Sequence, residues 1–205
     1  MNGFGRPELL PLNLASHSAL ASGPAPARRV RIAGGVVAFQ DEGRLAGSVR
    51  SLLRQNLPPG VEWTDVWVVV SPSTDRTLEV ANSLAAEDPR VKVVLEAQRR
   101  GKSAALAEVL QRATGDYLVL LNGDARALPG AVSALLRAAP TLPGPFAVMG
   151  RPTPMRLDHS PLDSAVELLW DVHHAFHQHL IQNGRSTHLS DELLLIPLAY
   201  PPPLS

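Results

Sequence analysis

The chain has 205 residues, with nineteen Lys and Arg balanced by nineteen Asp and Glu, 45% apolar and 4% aromatic residues, and no cysteine. That length predicts one domain with at most a small appendage, and the composition excludes fibrous and wholly disordered chains. Balanced charge gives no domain-wide field to gather nucleic acid or anionic lipid, and the lack of cysteine excludes disulfides, thiolate zinc sites and thiol nucleophiles. No apolar run approaches the roughly 18 residues that span a bilayer, so the expectation is a soluble chain, at most peripheral to a membrane, in a reducing cytosol.

Residues 1–29 hold one acid, Glu8, four prolines and no sustained period, and read as a flexible leader. Arg28, Arg29 and Arg31 follow the weakly apolar part instead of preceding it, unlike a secretory signal. From Val30 short β-branched runs alternate with segments of period about 3.6, the grammar of βαβ units around a parallel sheet. Strands are expected at Gly34–Phe39, Val66–Val70, Val91–Leu95, Tyr117–Leu121 and Phe146–Met149. The first helix carries the stripe Leu45, Val49, Leu52 and Leu53 and stops at Pro58-Pro59-Gly60. A second, from about Arg76, buries Leu78, Ala81, Leu84 and Ala85 and closes at Asp88-Pro89. The third buries Leu106, Val109, Leu110 and Ala113, with Gly115 as its stop. The fourth begins at Pro129, a first-turn proline, and buries Val132, Leu135, Leu136 and Ala139. Helices of one apolar face and strands of two predict a doubly wound, mostly parallel α/β sheet covered on both faces. Residues 30–151 form this domain, and residues 152–205 an extension.

The extension contains a long helix from about Pro161 to Ile181 with the stripe Leu162, Val166, Leu169, His173, Phe176 and Leu180. His173 and His177 share a face at i and i+4 within a cluster that also holds His174 and His179. No Glu stands between them in the zinc-protease pattern, so His173 reads more simply as a partly buried member of the stripe. Leu189–Pro197 is compatible with an apolar strand and a polar turn, and the chain closes on a proline-rich loop.

Ligands of open α/β sheets bind at the carboxyl ends of the strands. The first strand end carries Gln40-Asp41-Glu42 and the second Ser71-Pro72-Ser73-Thr74-Asp75-Arg76-Thr77, clusters that suit helix capping as well as a ribose or phosphate. After the third, Arg99-Arg100-Gly101-Lys102-Ser103 invites a P-loop reading, which fails because Glu96 stands where that loop needs a glycine. Three cations beside a glycine at a helix start remain a candidate diphosphate contact. The fourth strand ends in Asn122-Gly123-Asp124, and Asp124 is a candidate ligand for Mg²⁺ or Mn²⁺, which take oxygen ligands and accept one or two carboxylates plus substrate phosphates.

In this order the segments resemble the nucleotide-sugar-binding half of family 2 glycosyltransferases of the GT-A fold, over roughly Val30–Arg151 and more loosely to Pro197. Phe39-Gln40-Asp41-Glu42 stands for the family's Tyr-Asn-Glu-Glu, and Val70 to Thr77 for its Asp-Asp-Gly-Ser-Thr-Asp-Gly-Thr. Gly101 to Ala107 matches Gly-Lys-Ala-x-Ala-Leu-Asn, and Gly115 to Asp124 matches the segment that closes on the metal-binding Asp-x-Asp. Two positions depart: Ser71 replaces an acid that often meets the nucleobase, and Asn122 replaces the first Asp of Asp-x-Asp. The family's Gln-x-x-Arg-Trp motif is not found, so the chain looks short on its acceptor side.

The resemblance implies an inverting transfer of a sugar from a nucleoside diphosphate to a glycan, lipid or small molecule, with Mg²⁺ or Mn²⁺ at Asp124. Phe39, Gln40, Glu42, Ser71, Asp75, Lys102, Asn122, Gly123 and Asp124 would line the donor site, and Asp191 or Glu192 would serve as base. Expected partners are the donor and the acceptor, with no nucleic acid and no membrane span; a homodimer is left open. The expected place is the cytoplasm, extending to the inner face of the membrane. The alternatives are a degenerate or truncated GT-A domain that binds a nucleotide or protein without turnover, and a sugar-phosphate nucleotidyltransferase. The latter would carry a Gly-rich basic loop where this chain has Phe39 to Glu42.

Overall fold

A computed structural model describes residues 29–139, 146–155, 161–183 and 192–199. The elements are β1 (Val30–Ala38), α1 (Leu45–Leu53), β2 (Val61–Val70), α2 (Thr77–Glu87), β3 (Val91–Leu95), α3 (Lys102–Arg112), β4 (Tyr117–Asn122), α4 (Ala131–Ala138), β5 (Val148–Met149), α5 (Pro161–Gln182) and β6 (Leu193–Pro197). They build one six-stranded sheet in the order β3-β2-β1-β4-β6-β5. β1 pairs in parallel with β2 and β4, and β2 with β3, while β6 lies antiparallel between β4 and β5.

Period-two alternation sorts the strand side chains onto two cores. Ile32, Val36, Val66, Val68, Val70, Val119 and Leu121 pack under α1, α2 and α4 through Leu45, Val49, Leu52, Ala81, Leu84, Val132 and Leu135. Ala33, Val69, Leu118 and Leu120 pack under α3 through Ala105 and Val109. Each fully buried Val, Leu or Ile contributes about 1.5–3 kcal/mol relative to exposure. Gly35 lets α3 come close: a Cβ there would collide with Val109 and approach Leu120 Cδ2 at 2.8 Å.

Several sequence expectations need correction. β1 and β2 start earlier than the apolar runs indicate, because Val30–Ile32 pairs with the more polar Val61–Trp63 at the sheet's end. Leu110 is 45% exposed instead of buried, and Ala105, four residues before Val109, takes the inner position. Pro129 lies in the turn before α4, where Gly130 at φ 81° is the N-cap. The mostly parallel sheet is as expected, its antiparallel part being β6, which returns against β4 within the expected Leu189–Pro197 segment. The stripe of α5 faces outward: Leu162, Leu169 and Phe176 are 71, 68 and 58% exposed, and His173 is exposed as well. A helix hides such a stripe only where another element packs on it, and α5 packs extensively on no other described element. Its position is tied by Arg151, which bonds Asp171 at 2.7 Å and His174 at 3.3 Å.

Candidate functional site

The parallel strands β1, β2 and β4 end side by side, so the loops that follow them meet above the sheet. After β1 the chain turns sharply at Gln40, whose φ of 55° is uncommon for a side-chain-bearing residue. Two bonds to the β2–α2 loop hold that conformation: Gln40 N–H donates to Ser73 Oγ at 3.1 Å, and its Nε2 to Thr74 Oγ1 at 3.3 Å. Glu42 N–H donates to Asp75 Oδ2 at 3.1 Å, and Glu42 Oε2 accepts the Arg76 N–H at 2.9 Å. Asp75 also accepts the Thr77 hydroxyl at 2.6 Å, and this bond, ahead of the backbone N–H groups of Glu42 and Thr77, holds its carboxyl below the usual carboxylate range. The structure thus places Gln40, Glu42 and Asp75 in a brace between two loops, outside the wall of the neighbouring cavity.

Asp41 is the buried anchor of this corner. It accepts the Phe39 N–H at 3.0 Å and the Arg44 guanidinium at 3.0 Å, and its own N–H donates to Thr77 Oγ1 at 2.8 Å. Across from it, Gly123 N–H donates to Val37 O at 3.0 Å, and Ser48 Oγ donates to Asn122 O at 2.8 Å. The turn that presents Asp124 is therefore fastened to β1 and to α1.

Between these loops lies an open cavity of about 270 Å³, lined by Phe39, Ser71, Lys102, Asn122, Gly123 and Asp124 among others. Six of the sequence-expected donor-site residues are brought together here. The Arg99 guanidinium sits 3.8 Å above the Phe39 ring, a cation–π contact that fixes one wall. Ser71 is buried, and its hydroxyl donates to the carboxylate of Glu96 at 2.6 Å. A second cavity of about 660 Å³ opens on the other side of Asp124, with Leu128, Met155, Trp170 and Glu192 in its wall. Glu192 is carried there by β6: its carbonyl accepts the Asn122 N–H at 3.3 Å. Asp191 lies outside the described residues. Of the histidines, His174 is pushed below its ordinary pKa, first by burial and then by the Arg151 charge, while the His173 and His177 rings lie tilted against each other, 4.4 Å between centroids.

The donor atoms near Asp124 suit a hard divalent cation. Among the described residues no three His, Cys, Asp or Glu side chains converge on one point. One carboxylate at Asp124 with an amide oxygen at Asn122 would leave the remaining positions of a hard cation to diphosphate and water.

Sequence reasoning missed Arg44 and Glu96. Arg44 lines the first cavity, but a lone Arg at a helix start carries no signal of its own. Glu96 directly follows β3, the position where a parallel sheet delivers ligand-facing groups, and that position was its only clue.

The sequence profile of glycosyl transferase family 2 matches residues 35–155, more than half of the chain. The beta-monoglucosyldiacylglycerol synthase of Synechocystis sp. is 35% identical over 92 residues, 44% of this chain and 19% of that protein. An uncharacterized glycosyltransferase of Haemophilus influenzae is 36% identical over 52 residues, 25% of this chain and 21% of that one. The chain thus matches about a fifth of the length of each of these curated relatives. Among solved structures, a mannosyltransferase from Pyrobaculum calidifontis in complex with GDP-Man and Mn²⁺ superimposes with a TM-score of 0.58 at 22% identity, over 85% of this chain and 46% of that one, a likeness of fold. Profile, relatives and fold agree that this chain belongs to glycosyl transferase family 2 and has the GT-A fold.

Proposed function

We propose that the chain transfers a sugar from a nucleoside-diphosphate sugar to a hydroxyl acceptor by a single displacement that inverts the anomeric carbon. The observation that carries this reading is that Asp124 lines both cavities, the polar one walled by Phe39 and Ser71 and the apolar one that holds Glu192. Donor and acceptor then meet at one carboxylate. The acceptor oxygen forms a bond to the anomeric carbon as the bond from that carbon to the diphosphate oxygen breaks. The acceptor proton passes to Glu192, and the electron pair leaves with the diphosphate, which lies beside Lys102. A divalent cation held by Asp124 and Asn122 would supply positive charge at the leaving diphosphate. A base stacks on the face of Phe39 that Arg99 does not cover.

The second cavity favours an acceptor that joins a hydroxyl to an apolar body, because Leu128, Met155 and Trp170 line it together with Glu192, Arg126 and Arg151. A lipid fits that description, and a lipid stands in the name of the Synechocystis relative. Among the described residues no helix is long and apolar enough to cross a membrane. We assign the work to the cytoplasmic membrane face, with the outward apolar stripe of α5 as the supporting observation.

The test is release of nucleoside diphosphate from a panel of nucleotide sugars, with Mn²⁺ or Mg²⁺ and with lipid or glycan acceptors. Metal-dependent release that disappears in Asp124→Ala supports the reading. A folded protein that binds none of the nucleotides sinks it.

A further inference from the structure

Ser71 follows β2 in the wall of the cavity that also holds the Phe39 ring. A nucleobase offers a π-face and an edge of donors and acceptors. The ring, with Arg99 over one of its faces, and the neutral hydroxyl therefore mark the base end of the cavity, and Lys102 and Asp124 the diphosphate end.

A hydroxyl has one proton and two lone pairs, whereas a carboxylate only accepts. The Ser71 proton is committed, because Oγ lies 2.6 Å from Glu96 Oε2. The Glu96 side chain is only 1% exposed, its Oε1 has no hydrogen-bond partner, and the Arg100 guanidinium stands 3.7 Å from that oxygen. With its side chain buried to that degree, the carboxylate keeps the Ser71 proton, since a buried acceptor left unmatched is costly. What Ser71 offers the cavity is a lone pair.

Taking this cavity as the nucleotide site proposed above, we infer that Glu96 is a positioning residue that turns Ser71 into a fixed acceptor and thereby selects the base. Uracil, thymine and guanine carry an N–H at the centre of their Watson–Crick edge and match a fixed acceptor. Cytosine and adenine present a ring nitrogen lone pair there and meet Ser71 acceptor to acceptor. The Ser71–Glu96 pair thus offers the polarity of a carboxylate while its charge stays behind the wall, away from the diphosphate.

The experiment is isothermal titration of the full chain, in Mn²⁺, with UDP, dTDP, GDP, CDP and ADP. The tightest of the first three is expected to bind at least about tenfold tighter than CDP and ADP. Glu96→Ala frees the hydroxyl to donate, and the ratio is expected to fall to within about threefold, whereas a merely structural role would weaken all five alike. If Glu96→Ala does not fold, Ser71→Ala and Ser71→Thr decide: the ratio is expected to be lost in the first and kept in the second. CDP or ADP binding as tightly as the others in the wild type, a folded Glu96→Ala protein with the wild-type ratio, or a ratio unchanged in Ser71→Ala overturns the inference. Binding without discrimination sinks only this inference, while no binding by any of the five sinks the donor-site reading with it.

Discussion

The Cα of Gly123 lies so close to the Asp41 carboxylate that a Cβ there would stand 2.7 Å from Asp41 Oδ2 and 2.9 Å from Val37 O. Neither neighbour can yield: Val37 O belongs to β1, and Asp41 is held by Phe39 N–H and Arg44. Gly123→Ala is expected to destabilise the fold by about 1–3 kcal/mol through overpacking and to weaken nucleotide binding together with stability. Denaturant midpoints and nucleotide titrations on the same preparation check both, and an unchanged midpoint contradicts the contact.

Asp124 is exposed and belongs to no structural bond network shown for the corner. Asp124→Ala is therefore expected to move stability by no more than about 0.5 kcal/mol while removing the cation dependence of nucleotide binding. Asn122→Asp adds a second carboxylate and is expected to tighten Mn²⁺. Titration of Mn²⁺ against each variant with saturating nucleotide reads both effects, and equal Mn²⁺ affinity in all three proteins speaks against Asp124 as ligand.

Glu192 lines the second cavity and is absent from the wall of the first. Glu192→Gln keeps the shape and removes the base, so turnover is expected to fall by about 10²–10⁴ with nucleotide affinity unchanged. Steady-state rates set beside nucleotide titrations separate the two. Full turnover in Glu192→Gln would assign the base elsewhere.

Asp75 has its carboxyl lowered in the folded chain from the ordinary 3.8, chiefly by the Thr77 hydroxyl. A depressed folded value means that its contribution is complete above that pH and is lost as pH falls through the folded value. The melting-temperature gap between wild type and Asp75→Asn is therefore expected to be full at neutral pH and to shrink only below about pH 3.8. A gap that is independent of pH down to the acid transition would show that Asp75 acts through shape alone.

The fold was legible wherever a segment settles its own burial. Val91–Leu95 and the stripe of α1 follow from periodicity because β-branched runs and i, i+4, i+7 spacing each admit one packing. Legibility fails where burial depends on a distant partner. The stripe of α5 has the spacing of a core helix, yet Leu162, Leu169 and Phe176 face outward because no described element packs extensively on α5. The site divides in the same way. Phe39, Ser71, Lys102 and Asp124 follow from their places at strand ends, whereas the brace made by Gln40, Glu42 and Asp75 depends on how two loops cross. Glu96 was hidden because its partner Ser71 follows the neighbouring strand β2, 25 residues away in the sequence.

The order of strands also sets an order of assembly. β1 to β4 can close their three parallel ladders as soon as residue 122 is available, but the other side of β4 is matched by Leu193–Pro197, which the ribosome adds some seventy residues later. Until then Leu118 to Leu121 present an apolar edge with unpaired backbone groups, the kind of template on which nascent chains associate. Glu192 arrives with the strand that covers this edge, so the nascent chain gains its proposed base in the same step that removes its aggregation hazard.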